Sequence, residues 1–445
     1  MGKGIVRSTL LFAFVLGICL LIPEFSHAVP SYARQTNLAC NSCHYVFPEL
    51  TSFGRLFKLH GYTTELTGDV VEAKDKKDRT LLRLLKTPPL SAMLQATVNR
   101  LNTRLPGTQN NNINLPEQLS FFFAGQVSPK FGTFIQFTYA IQGASFSLDL
   151  IDMRYSNETS FLSNDLIYGA TFNNSPTIQD VWNSTPTWIF PYASSSVTPE
   201  PIAAPLIEGG LDVAAAGLGF YSLYDNALYT EVDLYRSAQQ GGPHPPDSTS
   251  TGIIKKAAPY WRAVWQHQFS SQYLSIGTYG LYSQMFPAGI SGLTNKFTDI
   301  AFDLQTEREI KGGNLTAHAT WINEQQKLDA TFPAGSSEKD KIKLNSFKAN
   351  LNYYFLDHFG ASLGYFVTTG DSDSLLYAPA NGSLTGKPDT DGLIAELDFL
   401  PWMNAKFSIQ YAMYNKFNGA KNNYDGFGRN ASDNNTILLM AWFAE

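Results

Sequence analysis

The sequence predicts a mainly β protein: a closed transmembrane antiparallel β-barrel of about 16 strands, with a small N-terminal α-helical segment docked in or at the lumen. Three observations lead there. From about residue 90 onward, short stretches alternate apolar and polar residues, the period of a strand with two unlike faces. Tight turns alternate with long polar loops. The polar face carries charges as well as Ser and Thr, which suits a wet lumen better than the dry interior of a β-sandwich, the other architecture with this pattern.

The strands are legible one by one. Phe347, Ala349, Leu351, Tyr353 and Phe355 alternate with Lys348, Asn350, Asn352 and Tyr354. Phe407, Ile409, Tyr411 and Met413 alternate with Ser408, Gln410, Ala412 and Tyr414, and Ile135, Phe137, Tyr139 and Ile141 with Gln136, Thr138 and Ala140. Leu228, Val232 and Leu234 stand opposite Glu231 and Asp233. Pro129-Lys130-Phe131-Gly132 and Asp357-His358-Phe359-Gly360 read as turns, while Ser237 to Ala258 and Gly370 to Asp391 read as long outer loops. The run from Ile437 to Ala444 is apolar on both faces. It is expected to be a final strand whose inner face packs against something in the lumen. Aromatics are abundant, with 31 Phe, 22 Tyr and 7 Trp.

The other regions have different habits. Residues 1–28 read as a cleaved signal peptide, with Lys3 and Arg7 ahead of an apolar core and Ser26-His27-Ala28 as a small-x-small cleavage site. The mature chain is expected to start near Val29. Residues 29–70 form a compact N-terminal segment, 71–89 a charged linker that could be helical, and 90–445 the barrel. Within the second region Pro48 to His60 reads as a helix, with Pro48 in its first turn and Gly61 placed to end it. The formal net charge is −6 at pH 7, and loss of the leader makes the mature chain slightly more acidic. That disfavours nucleic acid as a partner, because phosphate binding needs a basic face.

Of the three cysteines, Cys19 leaves with the leader, and the remaining two lie in Cys40-Asn41-Ser42-Cys43-His44. This is the C-x-x-C-H pattern of covalent haem attachment. Two thiols three positions apart can each form a thioether to one porphyrin edge, and the next imidazole then falls under the iron as proximal ligand. A zinc half-site would need a second Cys or His pair, and a thioredoxin-like dithiol would need a βαβ setting. Neither is present. The sequence therefore calls for one haem c on Cys40, Cys43 and His44.

The distal side is more open. Phe53, Leu56, Phe57 and His60 share one face of the expected helix, which makes His60 the candidate distal ligand, with Met93 the runner-up. Met93 shares a strand face with Ser91, Gln95 and Thr97 and is expected to point into the lumen. Arg55 and Lys58, on the opposite helix face, are candidates for propionate contacts. His318 is expected to face the lumen between Thr316 and Thr320, His267 the outer surface and His358 a turn, with His244 in a Pro-rich loop. A segment of about 40 residues can scarcely bury a porphyrin alone, so the barrel is expected to complete the pocket.

These residues also carry a resemblance. Pro30 to Thr36, Cys40 to His44, Phe47-Pro48-Glu49-Leu50 and the run from Phe53 to Tyr62 resemble the fused monohaem cytochrome–porins of iron-oxidising bacteria. Two further stretches are similar to that family: Asn173 to Asp180 with Trp182-Asn183, and Asn415 to Gly419 with Tyr424 to Gly426 and Asp433 to Asn435. The resemblance implies an outer-membrane protein with one haem near a barrel of about 16 strands. It implies that extracellular Fe(II) is the electron donor and a periplasmic c-type cytochrome or similar carrier the acceptor, an iron:cytochrome c oxidoreductase type of activity in contact with outer-membrane lipid. Two alternatives stay open: a porin plugged or gated by its haem segment, and a conduit running outward to external acceptors.

Overall fold

The computed structural model describes residues 30–64, 70–140, 145–212, 214–238 and 246–445. The leader (residues 1–28, with Cys19), Val29, Ile141 and His244 lie outside the described residues.

Sixteen long strands form one closed barrel. The first is Leu90–Leu101 and the last Thr436–Ala444, and each pairs antiparallel with its chain neighbour. Closure comes from the last strand lying against the first, with Leu438 opposite Asn99, Met440 opposite Thr97 and Trp442 opposite Gln95. The long strands run from 9 to 17 residues, enough to cross a bilayer at a tilt. A further two-residue strand, Ile253–Ile254, sits in the loop before Ala258–Gln268 and pairs with Gln272–Phe286.

Burial runs opposite to that of a water-soluble protein. In the strand Lys341–Phe355, Asn350, Asn352 and Tyr354 are buried while Leu351 is 48% exposed. In Leu228–Ser237, Glu231 and Asp233 are buried and Leu228, Val232 and Leu234 are exposed. Ser408 and Gln410 face inward and Ile409 and Tyr411 outward. Phe407 departs from the alternation, being buried at the end of its strand. An apolar exterior around a polar interior, with every ladder closed, is what a lipid solvent selects. The exterior carries exposed Trp261, Trp265 and Trp321, the last stacked on Phe302 at 6.1 Å. His267 lies outward too, stacked on Trp265. The chain is an outer-membrane barrel.

One end of the barrel is closed by tight hairpins. At Leu162-Ser163 and Lys311-Gly312 both central residues have positive φ, the turn geometry that matches the twist of paired strands. Long connections leave the other end. By the rule that short turns are periplasmic, the tight-turn end faces the periplasm.

Two segments fill the lumen. The N-terminal segment contains three short helices: α1 (Pro30–Thr36), α2 (Cys40–Cys43) and α3 (Ser52–Leu59). It also contains a small two-stranded pairing of His44–Val46 with Glu49–Leu50. The helix expected from Pro48 to His60 is thus shorter. Thr51 is its N-cap, accepting from the Gly54 N–H at 3.2 Å, and Pro48 belongs to the turn before it. Gly61, with φ of 69°, does end it. The second segment, residues 174–212, folds inward, reaching Asp303 on one wall through Ser184 Oγ (2.5 Å) and Gln410 on another through the Ala193 carbonyl (2.9 Å).

The charged linker is neither helical nor unstructured. It forms a hairpin, Val70–Lys74 with Thr80–Leu85. Its turn is organised by Asp75, whose carboxylate accepts from the N–H groups of Lys77 (2.8 Å) and Arg79 (2.9 Å) and from Arg79 Nε (2.7 Å). An Asp that captures backbone donors just beyond itself favours a turn over a helix.

Candidate functional site

A cavity of about 390 Å³ lies in the lumen, and Cys40, Cys43 and His44 all line it. Its walls are mainly apolar and come from the N-terminal segment, the first and last strands of the barrel and the infolded loop. Phe47, Phe53 and Phe57 come from the N-terminal segment, Met93, Phe122, Phe134 and Trp442 from the barrel, and Trp188, Ile189 and Tyr192 from the infolded loop. Met93 and Ala444 lie near strand ends at the tight-turn side, so the cavity occupies the periplasmic half. The last strand behaves as its two-sided apolarity predicts. Leu438 and Met440 are buried, and Trp442 meets Phe47 at 6.4 Å.

Local bonding fixes the C-x-x-C-H turn. The four residues from Cys40 make one helical turn, closed when the His44 N–H donates to the Cys40 carbonyl. Thr51 ties α3 to it: its hydroxyl donates to the Ser42 carbonyl (2.6 Å) and its N–H to the Cys43 carbonyl (2.9 Å). Gly54 is what allows this approach, since a Cβ there would fall 2.2 Å from the Cys43 carbonyl oxygen.

Protonation states follow from burial. The Cys43 thiol is pushed up to about 11 by desolvation, the opposite of the low-pKa thiolate that thiol–disulfide chemistry uses. Burial pushes His44 down to about 4, against the pull of the Pro48 and Glu49 carbonyls. It is therefore a neutral imidazole, the form that ligates a metal. A thioether pair needs alkylated rather than ionised sulfur, so both states fit haem attachment. Among the described residues, no group of three or more His, Cys, Asp and Glu converges on a metal position.

The flanking candidates divide. Met93 lines the cavity, as expected of a lumen-facing residue. His60 does not: it is the C-cap of α3 and pairs with Glu158. The helix has no single face toward the cavity, because Phe53, Phe57 and Lys58 line it while Leu56 and Leu59 pack on Trp182 and Tyr221. Arg55 is taken by the wall, forked onto Glu307 and lying 4.1 Å over the Tyr273 ring. Lys58 does reach the cavity lining, donating to the carbonyls of Ile178 (2.6 Å) and Asp180 (3.0 Å) beneath Trp188. Desolvation pushes its ammonium down to about 7, against the pull of Asp152. His318 is buried in the lumen beside Asn350 (3.2 Å), and His358 sits in its turn against the Leu400 carbonyl (2.7 Å).

No family model matches the chain, and no curated protein does. Among solved structures it is similar to the outer membrane protein OmpT of Vibrio cholerae, at 10% identity over 80% of this chain and 97% of that one, TM-score 0.43. It is similar to the outer membrane channel DcaP of Acinetobacter baumannii, at 12% over 80% and 96%, TM-score 0.45. It is also similar to an anion-selective porin from Comamonas acidovorans, at 10% over 80% and 98%, TM-score 0.46.

The infolded loop is the part of the site that reading along the sequence missed. Asp180, Asn183, Trp188 and Tyr192 all line the cavity. Asn183 Oδ1 accepts the Leu50 N–H at 3.0 Å, and Tyr192 donates to Glu49 at 2.8 Å. The available signal was compositional. Residues 174–214 lack strand alternation yet carry two Trp and several large aliphatics, too apolar for a loop that lies in water.

Proposed function

We propose that this outer-membrane barrel is a monohaem c-type cytochrome–porin that oxidises extracellular Fe(II) and passes single electrons to a periplasmic carrier such as a c-type cytochrome. The observation that carries the reading is the shared opening of Cys40, Cys43 and His44 onto one apolar cavity inside a membrane barrel. Bound there, a haem would supply a one-electron couple, with no bond made to the donor. The chain's own residues do the rest. Cys40 and Cys43 supply the sulfurs for two thioethers, and His44 offers a neutral imidazole. Met93 is the better placed of the two distal candidates, because His60 is engaged by Glu158. Phe53, Phe57, Phe122, Phe134 and Trp442 line the cavity and would keep water from a haem held there, tuning its potential through local polarity. Glu49, accepting from Tyr192, Asn352 and Tyr354, and Arg55 on Glu307 hold the segment at a fixed depth. For each turnover one electron leaves Fe(II) and one reaches the carrier.

The full chain, purified and placed in liposomes, tests this. Covalent haem is expected in alkaline pyridine spectra and should vanish in the Cys40→Ala/Cys43→Ala variant, while the barrel keeps its heat-modifiable mobility. Ferrous ion added outside should reduce the ferric protein and, through it, a soluble cytochrome c trapped inside. Absence of covalent haem would remove the cofactor assignment. If Fe(II) left the haem oxidised while the trapped cytochrome reduced it, flow would run outward instead.

A further inference from the structure

We propose that Glu231, Asp233 and Gln179 form a divalent-cation site inside the lumen, with water completing the coordination. Glu231 and Asp233 lie on the inward face of Leu228–Ser237, 2% and 0% exposed, and Gln179 is 1% exposed on the infolded loop above α3. Asp233 links the other two: Gln179 Nε2 donates to its Oδ1 at 2.9 Å, and its carboxyl meets that of Glu231. Four acceptor oxygens there, both of Glu231, Oδ2 of Asp233 and Oε1 of Gln179, have no well-formed hydrogen bond, although Tyr229 lies beside Glu231. Buried acceptors left short of good partners are costly.

Arg154 and Arg262 attract the pair from a distance, but each makes its ion pair elsewhere. Arg262 is the cross-strand partner of Glu231 but turns away, pairing with Asp303 (2.7 Å) and Asp180 (3.2 Å). Arg154 is held by Asp152 (2.9 Å) and the Gln179 carbonyl (2.8 Å). Lys58 is spent on the carbonyls on either side of Gln179. Two carboxylates thus stand without an ion pair of their own, and the wall makes room for one of them. The neighbouring strand has Gly219 where a Cβ would lie 1.9 Å from Asp233 Oδ1.

Oxygen-only donors from two carboxylates and an amide suit a hard divalent ion, and ions such as Mg(II) or Mn(II) retain several waters. The site adjoins the cavity, because Asp180, the residue after Gln179, lines it. It stands whether or not a haem is attached.

Mn(II) is the probe, since it does not reduce the protein and so reports binding apart from electron transfer. Paramagnetic resonance of the full chain in detergent should show Mn(II) bound at one site with oxygen-only coordination. Glu231→Gln and Asp233→Asn should each lose it while keeping folded-barrel mobility, and Glu396→Gln, a lumen carboxylate elsewhere, should retain it. Absence of bound Mn(II) in the native chain, or binding that survives Glu231→Gln or Asp233→Asn, would overturn the proposal and leave the pair neutralised by protons. If one variant fails to fold, the other and the native coordination decide.

Discussion

The wall of the barrel and the segment inside it are held by different forces. A strand such as Lys341–Phe355 is joined to both neighbours by uninterrupted backbone ladders and presents Leu351 to lipid. Residues 30–64 have only short helices and one two-stranded pairing, and side chains moor them to the wall. Arg55 meets Glu307, Tyr62 donates to Asp152 at 2.6 Å, and Glu49 accepts from three donors. The wall tolerates many side chains because its backbone is already satisfied. The lumen segment depends on a few named pairs, and losing one leaves a buried charge exposed to nothing that answers it.

Breaking such a pair should separate the two regions most sharply. In Glu307→Ala, Arg55, Tyr45 and Gln305 lose their acceptor together. The expected cost to docking is about 3–5 kcal/mol. Hydrogen exchange over residues 52–59 should rise while the barrel strands stay protected. Adding Arg55→Met should restore part of the loss, because the stranded charge goes with it. Unchanged exchange would mean that the segment does not depend on this pair.

The opposite test strikes the wall. Phe302 is 53% exposed on the lipid face of Asn295–Ile310. Phe302→Arg should destabilise the barrel by about 2–4 kcal/mol if it lies near the midplane. Folding titrations in liposomes would measure this, and spectra of the cavity should not change in the folded fraction.

The smallest effect is expected at the joint between α2 and α3. Gly54→Ala places a methyl against the Cys43 carbonyl and should cost about 1–3 kcal/mol by overpacking. Because the clash lies on the C-x-x-C-H turn, the spectrum of the proposed haem should shift while barrel stability holds. A spectrum identical to that of the native chain would show that α3 does not position the turn.

How far the sequence could be read follows the same division. The strand faces, the tight turns and the inward setting of Met93 and His318 were all legible, because a strand writes its environment with a period of two. So was the C-x-x-C-H turn, which is local. His60 and Arg55 stand away from the cavity for one reason, whereas the linker's hairpin comes from the local Asp75 turn. The amphipathic rule assumes a wet side and a dry side, and a helix inside a polar lumen has partners all round. Glu307 lies 252 residues from Arg55, and nothing at either position announces the other.

By itself, then, the sequence determined that the chain would close as a membrane barrel and that two thiols and an imidazole would share one turn. Both are set by short-range periodicity and spacing. Only the tertiary structure decided that this turn faces a cavity in the periplasmic half. It also decided that residues 174–212 fold inward to wall the cavity, and that Glu231 and Asp233 stand without an ion pair of their own. Those outcomes depend on which charges meet across the lumen, and such meetings are fixed by closure of the barrel rather than by neighbours in the chain.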